Sequence, residues 1–366
     1  MPLHKTSAWP LALVYGGLIV YASLFPFEGW RDQGVMPWFF LTEPLPKYWT
    51  AFDVVANLVG YMPLGFFLVL SALRTGRQRY ALRLAILLTS VLSLLMESLQ
   101  VYLPNRVPSN LDLMLNMAGG ALGALSAWSL EKMGALQRWS RFRAQWFVDE
   151  ARGGLVLLVL WPLALLFPTA IPLGLGQVVE RLEARISDLL EDTPFLLWFP
   201  VREIELQPLL PSVEWLCVML GLLIPCLLGF CIIRQAGKRA LFLAWVCFFG
   251  VLATALSAAL SVGPEHAWVW LNGPVKSALT SAMVLAMALL WVPRRASAAL
   301  ALLALGVNLS LLNQTPVGPY FEQTLFQWEQ GRFIRFHGLA QWLGWLWPFA
   351  TLVYVLSLLW RQQSKN

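Results

Sequence analysis

Seven polar residues between positions 53 and 116 stand out because each lies in or beside an otherwise apolar stretch. These candidate ligand-binding residues are Asp53, Asn57, Glu97, Gln100, Arg106, Asp112 and Asn116. Six of them form three pairs spaced four, three and four positions apart, so each pair lies on one face of a helix. Acids, amides and a guanidinium at one level can bind a charged or polar headgroup through charge-assisted hydrogen bonds.

The same residues can also be read as packing contacts, because buried polar side chains join membrane helices by hydrogen bonding. A charged group at the centre of a membrane helix costs about 2.5–3.5 kcal/mol, however, and is therefore a signal of function. Arg106 is the expected counter-ion, since a guanidinium can bridge two carboxylates. Three acids exceed what packing requires, so the sequence favours a ligand-facing site over helix packing alone.

The elements that must position these residues are transmembrane helices. Of the 366 residues, 58% are hydrophobic and 13% are charged, which excludes a soluble enzyme of ordinary composition and a disordered chain. Apolar stretches long enough to cross a bilayer recur about ten times. They lie near 9–27, 53–73, 82–103, 111–130, 153–173, 212–233, 241–262, 275–292, 296–313 and 339–360. Because two of these are weak and none alternates like a barrel strand, we predict an all-α fold, a polytopic transmembrane helical bundle of about 10 spans (8–10).

The basic residues orient the predicted helices. If the N-terminus is cytoplasmic, most of the 26 Lys and Arg residues fall in cytoplasmic connections, as the positive-inside rule requires. We therefore predict a multi-pass protein with both termini cytoplasmic and with the three polar pairs near the outer side. The net charge of +6 follows from this bias, and nothing indicates a nucleic-acid partner.

The chain is predicted to divide near residue 150. Residues 1–130 form a four-helix membrane unit, 131–152 a basic cytoplasmic interfacial linker, and 153–366 an additional bundle of about six transmembrane helices. The linker interleaves aromatic and basic residues, a pattern typical of a helix on an anionic leaflet. An outer-face loop over 174–211 contains an amphipathic helix near 177–192.

Signatures of known catalytic chemistry are missing from the sequence. There is no HExxH, G-x-S-x-G or Walker-type motif, so the catalytic residues are unknown and enzyme activity is uncertain, with the balance against it. The four cysteines occur without a CxxC pair. We therefore expect no metal site and no cofactor.

A family pattern runs through the polar stretch. Its elements are Asp53…Asn57…Gly60-Tyr-x-Pro63-Leu-Gly65, Glu97-x-x-Gln100, Pro104-x-Arg106 and Asp112…Asn116-x-x-Gly119-Gly120. In this order they resemble the VanZ-like family of bacterial membrane proteins, over roughly residues 10–130. The resemblance implies a role in the cell envelope at the bacterial cytoplasmic (inner) membrane. It also implies membrane lipids or a lipid-linked envelope precursor as partners and, through the family's namesake in glycopeptide (teicoplanin) resistance, a glycopeptide.

Three functions follow as hypotheses. The first is binding or handling of an amphiphilic or lipid-linked envelope molecule, or a glycopeptide, at the outer-facing polar site, with Arg106 engaging its headgroup. The second is a membrane-embedded enzyme acting on a lipid-linked substrate, with Glu97 as a buried general base. The third is a proton-coupled transporter, for which the sequence supplies acids on one side of the bilayer only.

Overall fold

The computed structural model describes residues 8–25, 27–76, 78–191, 193–195, 209–315 and 334–363. In these ranges the regular structure is helical, and Phe147 and Ile233 form an isolated β-bridge. Eight of the described helices are long and apolar enough to cross a membrane, and two shorter apolar helices, Ala8–Leu24 and Arg152–Ala164, accompany them. The predicted all-α membrane bundle is therefore confirmed, and its range of 8–10 spans agrees with these helices.

The described helices are labelled in chain order. They are α1 (Ala8–Leu24), α2 (Ala51–Arg74), α3 (Ala81–Gln100), α4 (Asn110–Lys132), α5 (Ala135–Trp146), α6 (Arg152–Ala164), α7 (Val179–Leu190), α8 (Pro211–Ile232), α9 (Ala236–Val262), α10 (Gly273–Ala288), α11 (Arg294–Leu312) and α12 (Ile334–Gln363). Helix α6 ends earlier than its apolar stretch, which runs to residue 173. Pro168 and Pro172 explain the early end, because proline lacks an N–H and disfavours helix in the residue before it. Helices α5 and α7 occupy the predicted linker and the predicted outer-face loop, and residues 196–208 of that loop lie outside the described residues.

The chain forms two compact units, Met1–Arg141 (unit 1) and Phe142–Asn366 (unit 2). In unit 2, α8 is the central helix, and nearly all of its residues from Cys217 to Ile232 are buried. Helices α6, α9, α10 and α11 pack against α8, and α12 packs against α6 and α11. A helix that is apolar all round needs such a surrounding layer, which explains why α8 takes the centre.

Unit 1 is built around the contact between α2 and α4. A Cβ added at Gly119 would overlap the backbone carbonyl of Leu58, and one added at Gly123 would overlap that of Met62. Glycine is therefore required at these positions for the two backbones to approach, as in other small-xxx-small membrane interfaces. Helices α1 and α3 pack against this pair, which brings the ends of all four helices together.

Candidate functional site

The polar residues gather at one end of unit 1, where α1 and α3 end and α2 and α4 begin. We call this the polar end. Asn57 Nδ2, near the start of α2, donates to Asp112 Oδ1 in the first turn of α4 at 2.6 Å. At this position the carboxylate also interacts favourably with the positive N-terminal end of the α4 dipole. The polar pairs at the starts of α2 and α4, which we predicted to lie at the same level, are therefore in direct contact.

Glu97 joins the end of α3 to the start of α4. Its side chain is only 3% exposed, and Oε2 accepts a hydrogen bond from the backbone N–H of Ser109 at 2.9 Å. Ser109 is the N-cap of α4, and its hydroxyl accepts from the backbone N–H groups of Leu111 and Asp112. The carboxylate of Glu97 thus binds the amide of the capping residue, a charge-assisted contact that fixes where α4 begins.

A second polar layer lies one turn deeper. Asn116 is buried, and its Nδ2 donates to the Oγ of Ser93, also buried, at 3.0 Å. The Oδ1 of Asn116 is buried and has no hydrogen-bond partner in the described part of the chain. The hydroxyl of Tyr61, also buried, interacts with the side chain of Ser93 and with Glu97. Tyr61 and Ser93 were not among the predicted site residues, although each stands four positions from one on its own helix, Asn57 and Glu97 respectively.

Gln100 and Arg106 reach the last turn of α1. Gln100 Nε2 donates to the carbonyl of Ser23 at 3.0 Å, and an Nη2 of Arg106 donates to the carbonyls of Phe25 at 2.6 Å and Ala22 at 3.4 Å. The last carbonyls of a helix have no partner within it and carry a partial negative charge, which a guanidinium satisfies. The structure therefore gives Arg106 contacts at a helix end that the sequence did not reveal, and its role as a counter-ion stays a prediction.

Asp53 has a local role in starting α2. Thr50 is the N-cap, and its hydroxyl accepts from the Asp53 amide while Asp53 Oδ2 accepts from the Thr50 amide at 3.1 Å, a reciprocal capping box. The side chain is exposed at the polar end. Its part in binding a ligand stays a prediction.

The connection between α1 and α2 folds over the same end. Asn110 Nδ2 donates to the carbonyl of Glu43, and Gln33 Nε2 donates to that of Val101, each at 2.6 Å. This connection exposes several large aromatic side chains, namely Trp30, Trp38, Tyr48 and Trp49. Such residues are enriched at membrane–water interfaces, so an amphiphile would meet aromatic rings and the polar residues at the same end.

The chemistry available at the polar end is recognition by hydrogen bonds and charge. Its upper layer, which includes Asn57, Gln100, Arg106 and Asp112, is partly exposed, whereas Glu97 and the layer beneath it are buried. Among the described residues there is no group of three His, Cys, Asp or Glu side chains that could hold a metal ion. The arrangement can therefore accept a polar headgroup at its surface and hold it against a fixed buried layer.

The model of the family described as VanZ/LLP1 matches residues 6–131. The match covers about a third of the chain and includes all seven predicted site residues, and it confirms the resemblance over this part of the chain. No curated protein and no solved structure matches the chain. With the apolar helices described above, the match identifies a multi-pass membrane protein.

Proposed function

We propose that unit 1 binds an amphiphilic or lipid-linked molecule of the bacterial cell envelope, with its headgroup at the polar end and its apolar part between or beside the helices. The observation that carries this proposal is the two-layered polar cluster on α2, α3 and α4. Packing alone favours polar side chains whose hydrogen bonds are all made, because an unmade buried bond costs about 1–3 kcal/mol. At this end the buried Asn116 Oδ1 has no hydrogen-bond partner among the described residues, which leaves an acceptor that packing does not use.

The partly exposed upper layer supplies both signs of charge. Asp112 offers a carboxylate that can accept hydrogen bonds from hydroxyl or amino groups, and Arg106 offers donors suited to a phosphate or carboxylate. A headgroup that carries both sugar hydroxyls and phosphate fits this combination. We therefore favour a lipid-linked sugar or glycolipid over a simple fatty acid, and a glycopeptide is the alternative headgroup.

The buried residues at the opposite end of unit 1 argue against a proton route. Along α3, Glu97, Ser93 and Thr89 are buried at successive turns, and the next such positions are Ala85 and Ala81. There an apolar cluster closes the helix interface, formed by Val69, Ala72, Ala81, Ala85, Ala124 and Ala127. A transporter needs polar groups or water across the whole bilayer, so the apolar layer favours a binding site that opens at one end.

The test is native mass spectrometry with lipid analysis of protein extracted gently from its bacterial host. Wild type is compared with Glu97→Gln and Asp112→Asn, and with Glu131→Gln as a matched control at the other end of α4. We expect a specific lipid or lipid-linked sugar in wild type and in the control, and its loss in the two polar-end variants. Equal bulk phospholipid in all four proteins, with lower thermal stability in the polar-end variants, would mean that the cluster only packs the helices.

A further inference from the structure

A groove lies in unit 1 at the end opposite the polar end. It has a volume of about 290 Å³ and is lined by residues of α1, α2 and α3 and by the residue after α2. These are Trp9, Leu68, Ser71, Ala72, Thr75, Leu84 and Leu88. Its length along α2, from Leu68 to Thr75, is roughly 10 Å at 1.5 Å per residue. Trp9 and Leu88 are exposed, so the groove opens at the surface of unit 1 and is not an enclosed cavity.

The rim of this groove is basic. Arg74 directly precedes the lining residue Thr75, Arg83 directly precedes Leu84, and Arg79 lies in the short 3-10 helix between α2 and α3. All three side chains are exposed. Residues 54–96, which span nearly all of α2 and α3, contain no Asp or Glu, and neither does α1.

The carboxylate at the end of α4 belongs to Glu131, and Lys132 follows it directly in the chain. Helix α4 packs against α2 and α3 but contributes no residue to the groove lining. At the groove end, α1, α2 and α3 therefore carry positive charge without an acidic residue, since their acids, Asp53 and Glu97, lie at the polar end. An anionic group beside the groove would supply the missing counter-charge, and the leucine, alanine and tryptophan side chains of the groove can contact an apolar chain.

We propose that this groove with its rim of Arg74, Arg79 and Arg83 is a binding site for an anionic phospholipid. One acyl chain lies against Leu68, Leu84 and Leu88, and the phosphate lies among the arginines. The volume is at the low end of small-molecule sites, which suits part of one acyl chain and leaves the headgroup outside. This site is separate from the polar end and does not depend on the function proposed for it.

The experiment measures binding of phosphatidylglycerol and of phosphatidylcholine, with matched acyl chains, to the purified full-length protein by native mass spectrometry. The triple variant Arg74→Gln/Arg79→Gln/Arg83→Gln tests the rim, and Arg31→Gln/Lys47→Gln/Lys276→Gln, at three exposed cations outside the groove lining, is the charge-matched control. We expect wild type and control to prefer phosphatidylglycerol. The rim variant should bind it about tenfold or more weakly, since each arginine near an anionic surface contributes on the order of a fivefold factor.

A second pair of variants tests the contribution of the groove to lipid binding independently of the arginine charges. Leu88→Trp fills the groove, whereas Leu87→Trp, one position along the same helix, adds the same volume at a residue outside the groove lining. We expect Leu88→Trp alone to reduce phosphatidylglycerol binding. The proposal is overturned if the two tryptophan variants bind equally, or if the rim variant keeps the wild-type preference. A general positive-inside bias without a lipid site would give that second result.

Discussion

Asn57 Nδ2 donates to Asp112 Oδ1 at 2.6 Å, so the first turns of α2 and α4 are joined directly by a short charge-assisted bond. The two side chains are 55 positions apart in the chain and only partly buried. Because both helices begin at the polar end, the bond fixes their relative register at the level where a headgroup would bind. It is at once a packing contact and part of the proposed site, and only a measurement on both residues separates the two roles.

A double-mutant cycle on this bond gives that measurement. We expect Asn57→Ala and Asp112→Ala each to lower the free energy of unfolding, with a coupling of about 1–2 kcal/mol because the bond involves a charged acceptor. Thermal unfolding in detergent, followed by tryptophan fluorescence, reports the stability. Additive effects of the two substitutions would contradict the contact. Loss of lipid binding in Asp112→Asn with near-normal stability would place that carboxylate in the ligand site.

The sequence anticipated this contact for a definite physical reason. Residues four apart on a helix share a face, and charged residues in a membrane helix turn toward other helices rather than lipid, so Asn57 and Asp112 were expected at one level. The capping box of Thr50 and Asp53 also has a readable spacing. From the sequence, Asp53 was interpreted as a ligand-binding or helix-packing residue and not as a cap, because a carboxylate at the edge of a span fits all of these roles.

The close contact between α2 and α4 predicts how the replacement of its glycines changes stability. Gly119→Ala would place a methyl group against the Leu58 backbone, which cannot move aside as a flexible side chain can. We expect it to lower the free energy of unfolding by about 3 kcal/mol. Gly60→Ala is the matched control, since a Cβ there meets nothing within 4 Å, and it should be neutral or stabilising by up to about 1 kcal/mol. Equal effects of the two substitutions would refute this close approach.

Two tyrosine hydroxyls in unit 1 have different surroundings. The Tyr15 hydroxyl donates to the carbonyl of Gly60 at 3.0 Å, whereas the buried Tyr61 hydroxyl interacts with the Ser93 side chain and with Glu97 in the polar cluster. We expect Tyr15→Phe and Tyr61→Phe each to cost about 1 kcal/mol of stability, because each removes a polar contact. Thermal unfolding of both variants tests this. Only Tyr61→Phe should also weaken retention of the copurified lipid, and equal retention in the two variants would mean that the Tyr61 hydroxyl serves packing alone.

The contacts of Arg106 show where prediction from sequence stops. Its partners, the carbonyls of Ala22 and Phe25, lie more than 80 positions earlier in the chain. Any helix end offers the same backbone carbonyls, so no residue type marks this one as the partner. The spacing of acids around Arg106 suggested a carboxylate partner, which stays a prediction, whereas the packing of α1 against α3 decides which carbonyls the guanidinium reaches.

A buried arginine in unit 2 also donates hydrogen bonds to backbone carbonyls near helix ends. Arg239 is 5% exposed, and its Nη1 donates to the carbonyls of Leu290 and Val292, both at 2.8 Å. Its Nε donates to the carbonyl of Ile233, just beyond α8. The guanidinium therefore joins the start of α9 to the chain just after α8 and to the region after α10. The partial negative charge of those helix ends offsets part of the cost of burying a cation.

Replacing Arg239 should accordingly be among the most damaging single changes in unit 2. We expect Arg239→Gln to lower the free energy of unfolding by about 2–4 kcal/mol, because several carbonyls lose a charged donor at once. Arg239→Lys should recover only part of this loss, since an ammonium cannot reproduce the planar fork of a guanidinium. Lys276→Gln, at an exposed position on α10, is the control and should change stability little. Full recovery by lysine would show that charge alone, and not the geometry of the three bonds, stabilises this junction.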